Sequence, residues 1–235
     1  MSFFYQHFVE QKIKIVQAIA DSCCGDTYAE GALILCSVIS AMSAIAWPGD
    51  SKINRKRFVE IIVKYPPQHE DPKKVSLPIL VQGGVVCNTR LGVSNKAFHL
   101  TENKDLTEAN IMKSCPDIKL SEIRKYSYAN LLYQEIRNTY AHQYRAGKNS
   151  TESDSLRQIE NTGKSAISYV NIIRNDTLCR VIYFPLEWIA SVARAVASGL
   201  DIEQKKLGKA PFDDLYFEVP TKWWLEGVKE ESKTG

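Results

Sequence analysis

Three polar residues on one predicted helix have side chains that suit chemistry on a phosphate group. They are Arg137, Asn138 and His142, in the run Arg-Asn-Thr-Tyr-Ala-His. Histidine accepts and donates protons near neutral pH, and the planar guanidinium of arginine fits phosphate oxygens and keeps its charge. Metal-free cleavage of RNA needs both functions. The ribose 2′-hydroxyl must lose a proton, the leaving 5′-oxygen must gain one, and the charge on the phosphate must be stabilised.

The spacing of these residues limits what one helix can do. Asn138 and His142 are four residues apart and share a face of an α-helix. Arg137 and His142 are five residues apart, which separates them by about 140° around an ideal helix with ~3.6 residues per turn. We therefore expect either a long reach by the arginine or a second copy of the chain that completes the site across a two-fold axis.

Each residue of the motif also has a purely structural interpretation. Arg137 could pair with Glu135 on the helix surface. His142 could be a structural histidine between tyrosines, and Asn138 could be a polar group in helix packing. The functional interpretation rests on the three residues taken together.

Four neighbours extend the candidate site. Tyr140 and Tyr144 could stack on a base or orient a phosphate, although we favour packing in the core or at an interface for both. Arg145 and Lys148 could guide an RNA backbone.

The motif lies in a basic part of a nearly neutral chain. Residues 119–148 hold six Lys/Arg against two Glu, whereas the net charge of the whole chain is only +3. Clustered cations attract phosphates. Residues 52–74 hold seven Lys/Arg against three acids, and we interpret that segment as a solvated lysine-rich surface.

The composition indicates a globular protein. The 235 residues are 44% hydrophobic and 24% charged, which is enough to build a core, and we treat 1–235 as a single domain. The six cysteines form no C-x-x-C pair and have no zinc-site spacing with the four histidines, so we expect no metal and no cofactor. The N-terminus lacks a signal-peptide pattern, and the apolar run 32–47 is short for a bilayer. We expect a cytoplasmic protein with reduced thiols and no membrane partner.

Apolar periodicity predicts a mainly α-helical fold with a small hairpin. Helical spacing covers six segments, which are 3–20, 27–47, 54–65, 107–115, 121–145 and 185–206. The segment 166–184 predicts a β-hairpin that turns at Arg174-Asn-Asp-Thr. An irregular insertion is expected over 66–105, and a C-terminal tail with a docked short helix over 211–235.

The motif and its helix resemble the HEPN superfamily (higher eukaryotes and prokaryotes nucleotide-binding domains). The signature is an arginine, a polar residue such as Asn, and a histidine four to six positions after the arginine. Arg137, Asn138 and His142 match it. The segment 32–65, an apolar helix followed by Trp-Pro-Gly and a basic helix, also resembles the opening helices of that family. The resemblance implies a helical bundle with the motif toward the end of a core helix.

The resemblance also implies an activity and partners. Active members are similar to metal-independent endoribonucleases that work as homodimers in toxin–antitoxin and antiviral systems. Their products are a 2′,3′-cyclic phosphate and a 5′-hydroxyl. Expected partners are RNA, a second copy, and an antitoxin or a nucleotidyltransferase. Two alternatives stay open. One is a non-catalytic module of the same family that binds nucleotide, nucleic acid or a partner protein. The other is a structural or partner-binding protein in which the motif is a coincidence.

Overall fold

The most apolar helix of the chain occupies the centre of the fold. The computed structural model describes residues 4–22, 27–49, 51–68, 71–86, 105–152, 166–208 and 217–228. Within them α2 (Tyr28–Ala46) packs against α1 (Phe4–Asp21), α3 (Asn54–Lys64) and α9 (Leu186–Leu207). A short 3₁₀ turn, Ser51–Ile53, precedes α3.

The sequence of α2 explains its central position. Its buried residues recur every three or four positions, as in Leu35, Ile39, Met42 and Ala46, and this spacing forms a continuous apolar stripe. By length and composition alone α2 could also cross a membrane, but half of that apolar window is buried inside the protein. The predictions of α1, α2 and α3 are confirmed to within about two residues, the usual uncertainty of helix ends.

A carboxylate from the C-terminal part of the chain caps α1. Asp201 on α9 accepts hydrogen bonds from the backbone N–H groups of Tyr5 at 3.0 Å and Gln6 at 2.9 Å. The first N–H groups of a helix have no partner within it and carry partial positive charge. Asp201 satisfies two of them, so the two helices are joined by polar bonds as well as by packing.

The predicted single helix over 121–145 is wrong in its detail. A short helix, α6 (Leu120–Arg124), ends first, and a new helix begins after Ser127, whose hydroxyl caps it by accepting from the Asn130 N–H at 3.3 Å. We call residues 128–143 the motif helix. It consists of α7 (Tyr128–Leu131), a π-helical segment (Leu132–Asn138) and α8 (Thr139–Gln143).

The predicted irregular insertion contains a helix of its own. The helix α4 (Leu77–Gln82) packs with α5 (Glu108–Ser114) and α6 around a second, smaller apolar cluster. The cluster includes Leu80, Ile111 and Ile123, which are fully buried. Residues 87–104 lie outside the described part of the chain.

The predicted hairpin is confirmed. Strands β1 (Ser168–Arg174) and β2 (Thr177–Tyr183) pair antiparallel. Asn175 and Asp176 form the turn with φ of 48° and 57°. Two consecutive positive φ values define the type I′ turn that favours Asn and Asp. The helix α9 then begins directly after Pro185.

The C-terminal tail docks through aromatic rings. The rings of Trp47 and Trp223 meet edge to face at 5.6 Å, and the Trp47 indole N–H donates to the Glu218 carbonyl at 3.1 Å. Over 217–228 the chain forms turns, so the short helix predicted in the tail is not found in those residues. The described part of the chain is thus mainly helical, with one two-stranded antiparallel sheet.

Candidate functional site at the end of the motif helix

Arg137 lies half-buried against α2 and has no carboxylate partner in the described structure. Its Nε donates to the Ser40 hydroxyl at 3.3 Å, and its guanidinium lies 5.3 Å from the centre of the Tyr133 ring, one helical turn earlier. Of the described ion pairs, none includes Arg137. The pairing with Glu135 is therefore not formed, and the guanidinium is oriented by a hydroxyl and a ring that leave its charge uncompensated.

A buried thiol lies beside this arginine. Cys36 on α2 is completely buried, and burial raises the pKa of its thiol to about 12, although the charge of Arg137 opposes the shift in part. A thiol with so high a pKa stays protonated near neutral pH and is a poor nucleophile. The role of Cys36 is therefore to pack beside the Arg137 side chain.

His142 is exposed on α8 and forms no hydrogen bond or ion pair with any described residue. Asn138 is half-buried, and its side chain does not cap α8. Arg137 faces α2 while His142 faces solvent, and no hydrogen bond joins them. The structure thus places all three residues at one helix end without assembling a complete Arg–His pair in one chain.

The end of α8 is fixed by Tyr144. This residue adopts the left-handed conformation, with φ of 53°, and its N–H bonds to the Tyr140 carbonyl. Non-glycine residues rarely adopt this conformation. The Tyr144 hydroxyl donates to Glu30 in the first turn of α2, which leaves more than half of the side chain exposed. An exposed, tethered ring therefore follows His142 by two residues.

The structure removes Tyr140 from the candidate site. Only 2% of this residue is exposed, its ring packs against Tyr28, and its hydroxyl donates to Glu152. A ring buried in this way cannot stack on a base in this conformation, so the binding role predicted for Tyr140 is wrong here. Its role is packing under the motif.

A buried carboxylate braces the helix just before Arg137. Glu135 is 6% exposed, and its carboxylate accepts from the backbone N–H of Asn149 at 3.0 Å and from its side-chain amide at 2.8 Å. The backbone carbonyl of Glu135 accepts from the Gly147 N–H at 2.8 Å and from the Ser150 hydroxyl at 3.2 Å. The segment 147–150 is thereby held against the π-helical segment.

Gly147 makes this close approach feasible. A Cβ atom at this position would lie 2.0 Å from the Glu135 carboxylate and 2.9 Å from its Cα. Both distances are shorter than a van der Waals contact, so only glycine fits without displacement. Each hydrogen bond of a π-helix spans one residue more than in an α-helix, and π-helical segments often occur at functional sites. Here such a segment sets the direction in which the helix presents Arg137.

The basic residues around the motif have different roles. Arg145 and Lys148 are exposed beyond the end of α8. Arg124 instead pairs with Glu108 at 2.9 Å and donates to the Trp224 carbonyl, so it is structural. Arg55, in the segment interpreted as solvated surface, is 7% exposed and donates to the Asn130 side chain at 2.9 Å. The interpretation of 52–74 is therefore wrong at Arg55.

Several residues at this site were not identified from the sequence. Tyr133 precedes Arg137 by four residues, so helical spacing could have indicated it. Ser40 and Glu30 approach from a distant helix, and no local pattern points to them. Among the described residues no group of three or more His, Cys, Asp or Glu could hold a metal ion.

The arrangement provides a fixed positive charge, an imidazole open to solvent and further exposed cations. These are the groups that acid–base chemistry on a phosphodiester uses. Comparisons of the chain with protein-family models, with curated proteins and with solved structures found no match, so the resemblance to the HEPN superfamily stays a prediction from the motif.

Proposed function

We propose that this protein is a metal-independent endoribonuclease of the toxin or antiviral-defence type, acting in the cytoplasm as a homodimer of HEPN-like chains. One observation carries the proposal. The guanidinium of Arg137 is oriented by Ser40 and pairs with no described carboxylate, and the exposed His142 lies five residues later at the same end of the helix. A half-buried arginine with an uncompensated charge favours an anionic ligand.

In the proposed reaction the ribose 2′-oxygen attacks its own phosphorus. The new bond joins the 2′-oxygen to phosphorus, and the bond from phosphorus to the 5′-oxygen breaks. A base takes the 2′-hydroxyl proton and an acid protonates the 5′-oxygen, which leaves a 2′,3′-cyclic phosphate and a 5′-hydroxyl. We assign proton transfer to His142, charge stabilisation to Arg137, and orientation of the ribose or phosphate to Asn138.

The dimer is part of the proposal because one chain presents Arg137 and His142 on different faces. A two-fold axis near the end of α8 would bring the arginine of one copy toward the histidine of the other. Ser40 and Tyr133 would hold the guanidinium in place before RNA binds, which lowers the cost of ordering it.

The test is cleavage of single-stranded RNA in EDTA by the wild type, by Arg137→Ala and by His142→Ala. His7→Ala is a matched control, because His7 is an exposed histidine on α1. We expect cleavage by the wild type and by the control, little by the two motif variants, and a cyclic phosphate on the product. Intact RNA with the wild type, or equal cleavage by the motif variants, contradicts the proposal.

Mixing the two inactive variants tests the shared site. If one site uses Arg137 from one copy and His142 from the other, mixed dimers regain part of the activity. If the mixture stays inactive while each variant still dimerises, the two residues do not act across the dimer. RNA binding without cleavage by the wild type would instead support the non-catalytic binding module.

A further inference from the structure

Among the described residues, hydrogen bonds from other segments reach the outer edge of one hairpin strand and not that of the other. In a two-residue hairpin the residues that flank the turn form a hydrogen-bonded pair, and the pairs alternate along the strands. From the register of Arg174 with Thr177, the inward-bonded residues of β1 are Ser168, Val170, Ile172 and Arg174. The backbone groups of Tyr169, Asn171 and Ile173 therefore point away from β2.

The outer edge of β2 confirms that inward and outward residues alternate along the hairpin. On β2 the outward residues are Leu178, Arg180 and Ile182. The Arg180 backbone makes two hydrogen bonds with the Gln82 side-chain amide, at 3.0 Å and 2.7 Å. The Ile182 backbone bonds to Asn149 and Thr151 at 2.8 Å and 3.1 Å. The protein thus satisfies the outer edge of β2 at Arg180 and Ile182 with its own groups.

No described group forms hydrogen bonds with the outer edge of β1. The outward N–H and C=O groups of Tyr169, Asn171 and Ile173 have no hydrogen-bond partner in the described parts of the chain. Proteins usually protect such an edge with lysine, proline or a bulge. The segment 168–173, Ser-Tyr-Val-Asn-Ile-Ile, has no charge and no proline. The side chain of Ile173 is also largely exposed, at 78%.

We infer that the open edge of β1 pairs antiparallel with β1 of a second copy, about a two-fold axis at Asn171. The outward groups are symmetric about that residue. Tyr169 of one copy would pair with the partner's Ile173, and the two Asn171 residues would pair with each other. Each such pair exchanges two backbone hydrogen bonds.

The side chains suit self-pairing better than pairing with a charged strand. Tyr169, Asn171 and Ile173 lie on one face of the sheet, and none is charged, so two copies meet without repulsion. An aromatic ring opposite a β-branched side chain is a favourable cross-strand pair. Exposed Ile173 would then lie beside the partner's Tyr169, and in each chain the Tyr169 hydroxyl stays bonded to Ser76 and Asp105. The inference goes beyond the proposed ribonuclease function and does not depend on it.

Disulfide trapping of Asn171→Cys is the direct test. A hydrogen-bonded antiparallel pair has its Cα atoms about 5.5 Å apart, within the range that a disulfide spans. We expect mild oxidation to convert this variant into a covalent dimer. Thr177→Cys, an exposed position on β2 away from the axis, should not crosslink, and the wild type controls for the native Cys179.

Two further variants test the edge without relying on a disulfide. Asn171→Pro removes only an outward N–H, and Ile173→Lys places a charge on an exposed side chain. Both should keep the circular dichroism of the wild type while sedimentation shows a smaller assembly than the wild type, because only the β1 contact is lost and any contact at the end of α8 remains. The inference is overturned if the wild type is monomeric at every concentration, if both variants sediment as the wild type does, or if Asn171→Cys crosslinks no faster than Thr177→Cys. RNA cleavage is a separate readout, so either proposal can fail alone.

Discussion

The carboxylate of Glu135 and the amides of Asn149 form a two-bond clamp across the motif helix. The bonds measure 3.0 Å to the backbone N–H and 2.8 Å to the side-chain amide. Glu135 lies two residues before Arg137 and inside the π-helical segment. The clamp therefore ties the direction of the arginine to a segment that follows the helix by only a few residues.

Replacing Glu135 with alanine should destabilise the protein strongly. It would leave two half-buried donors of Asn149 without their acceptor, and an unsatisfied buried donor costs about 1–3 kcal/mol. We expect a loss of about 2–4 kcal/mol in the free energy of unfolding, measured by urea denaturation. Glu187→Ala, at an exposed position of α9, is the matched control. A loss below about 1 kcal/mol would show that the clamp contributes little.

Gly147→Ala tests the same clamp from the other side. The new methyl group would lie 2.0 Å from the Glu135 carboxylate and 2.9 Å from a backbone carbon. Overpacking of this kind costs about 1–3 kcal/mol. Gly84→Ala is a useful comparison, because a Cβ there meets nothing within 4 Å and the cost comes only from a φ of 71°. If RNA cleavage is present, Gly147→Ala should also reduce it at temperatures where the fold is intact.

The sequence predicts the parts of this fold that depend on local signals. The helices α1 to α3 have regular apolar spacing, and the hairpin turn has Asn-Asp at the two positions that need positive φ. The π-helical segment has no such local signal, and its contact with Gly147 comes from residues that follow the helix. The clamp forms only after the chain has turned back on the helix.

The two tyrosines near the motif also show that local sequence signals predict only part of the structure. Tyr140 follows the buried Ile136 by four residues and is buried, as helical spacing implies. Tyr144 follows Tyr140 by four residues but is exposed, because the helix ends there in the left-handed conformation. The apolar periodicity predicts burial correctly up to the end of α8 at Gln143, whereas the helix was predicted to continue to residue 145.

Asp105 should make stability depend on pH in a defined direction. Its carboxyl accepts from the Leu77 N–H at 3.0 Å and from the hydroxyls of Tyr128 and Tyr169. Burial raises the pKa of this carboxyl above its ordinary value of 3.8, even though these hydrogen bonds lower it. Because the pKa of Asp105 is higher in the folded state than in the unfolded state, the protonated carboxyl stabilises the fold. This contribution to the unfolding free energy is complete below pH 3.8 and is lost as the pH rises through the folded-state pKa.

Asp105→Asn removes this ionisation. Relative to the variant, the wild type should lose unfolding free energy as the pH is raised from 3.8 through the folded-state pKa. Urea denaturation at closely spaced pH values measures the difference. Asp176→Asn, at the exposed hairpin turn where either residue fits, should show no such trend. A difference between wild type and Asp105→Asn that is constant with pH would contradict the prediction.

Tyr144 offers a test of base contact near His142. The ring is exposed and its hydroxyl bonds to Glu30. If the ring stacks on a base, Tyr144→Phe should keep most of the affinity for single-stranded RNA, because stacking uses the ring face. Tyr144→Ala should lose affinity several-fold. Equal losses in both variants would indicate that the bond to Glu30, and not stacking, is the important contact.

Arg145 and Lys148 should determine how RNA affinity depends on salt. Both are exposed beyond the end of α8, and each phosphate contact to a single strand contributes about 0.7 to the slope of log affinity against log salt. We expect Arg145→Ala and Lys148→Ala each to weaken RNA binding and to reduce that slope by about 0.7. Lys14→Ala, at an exposed position on α1, should change neither quantity. Fluorescence anisotropy with a short labelled RNA at several salt concentrations measures both. Unchanged slopes in the Arg145 and Lys148 variants would place the RNA path elsewhere on the protein.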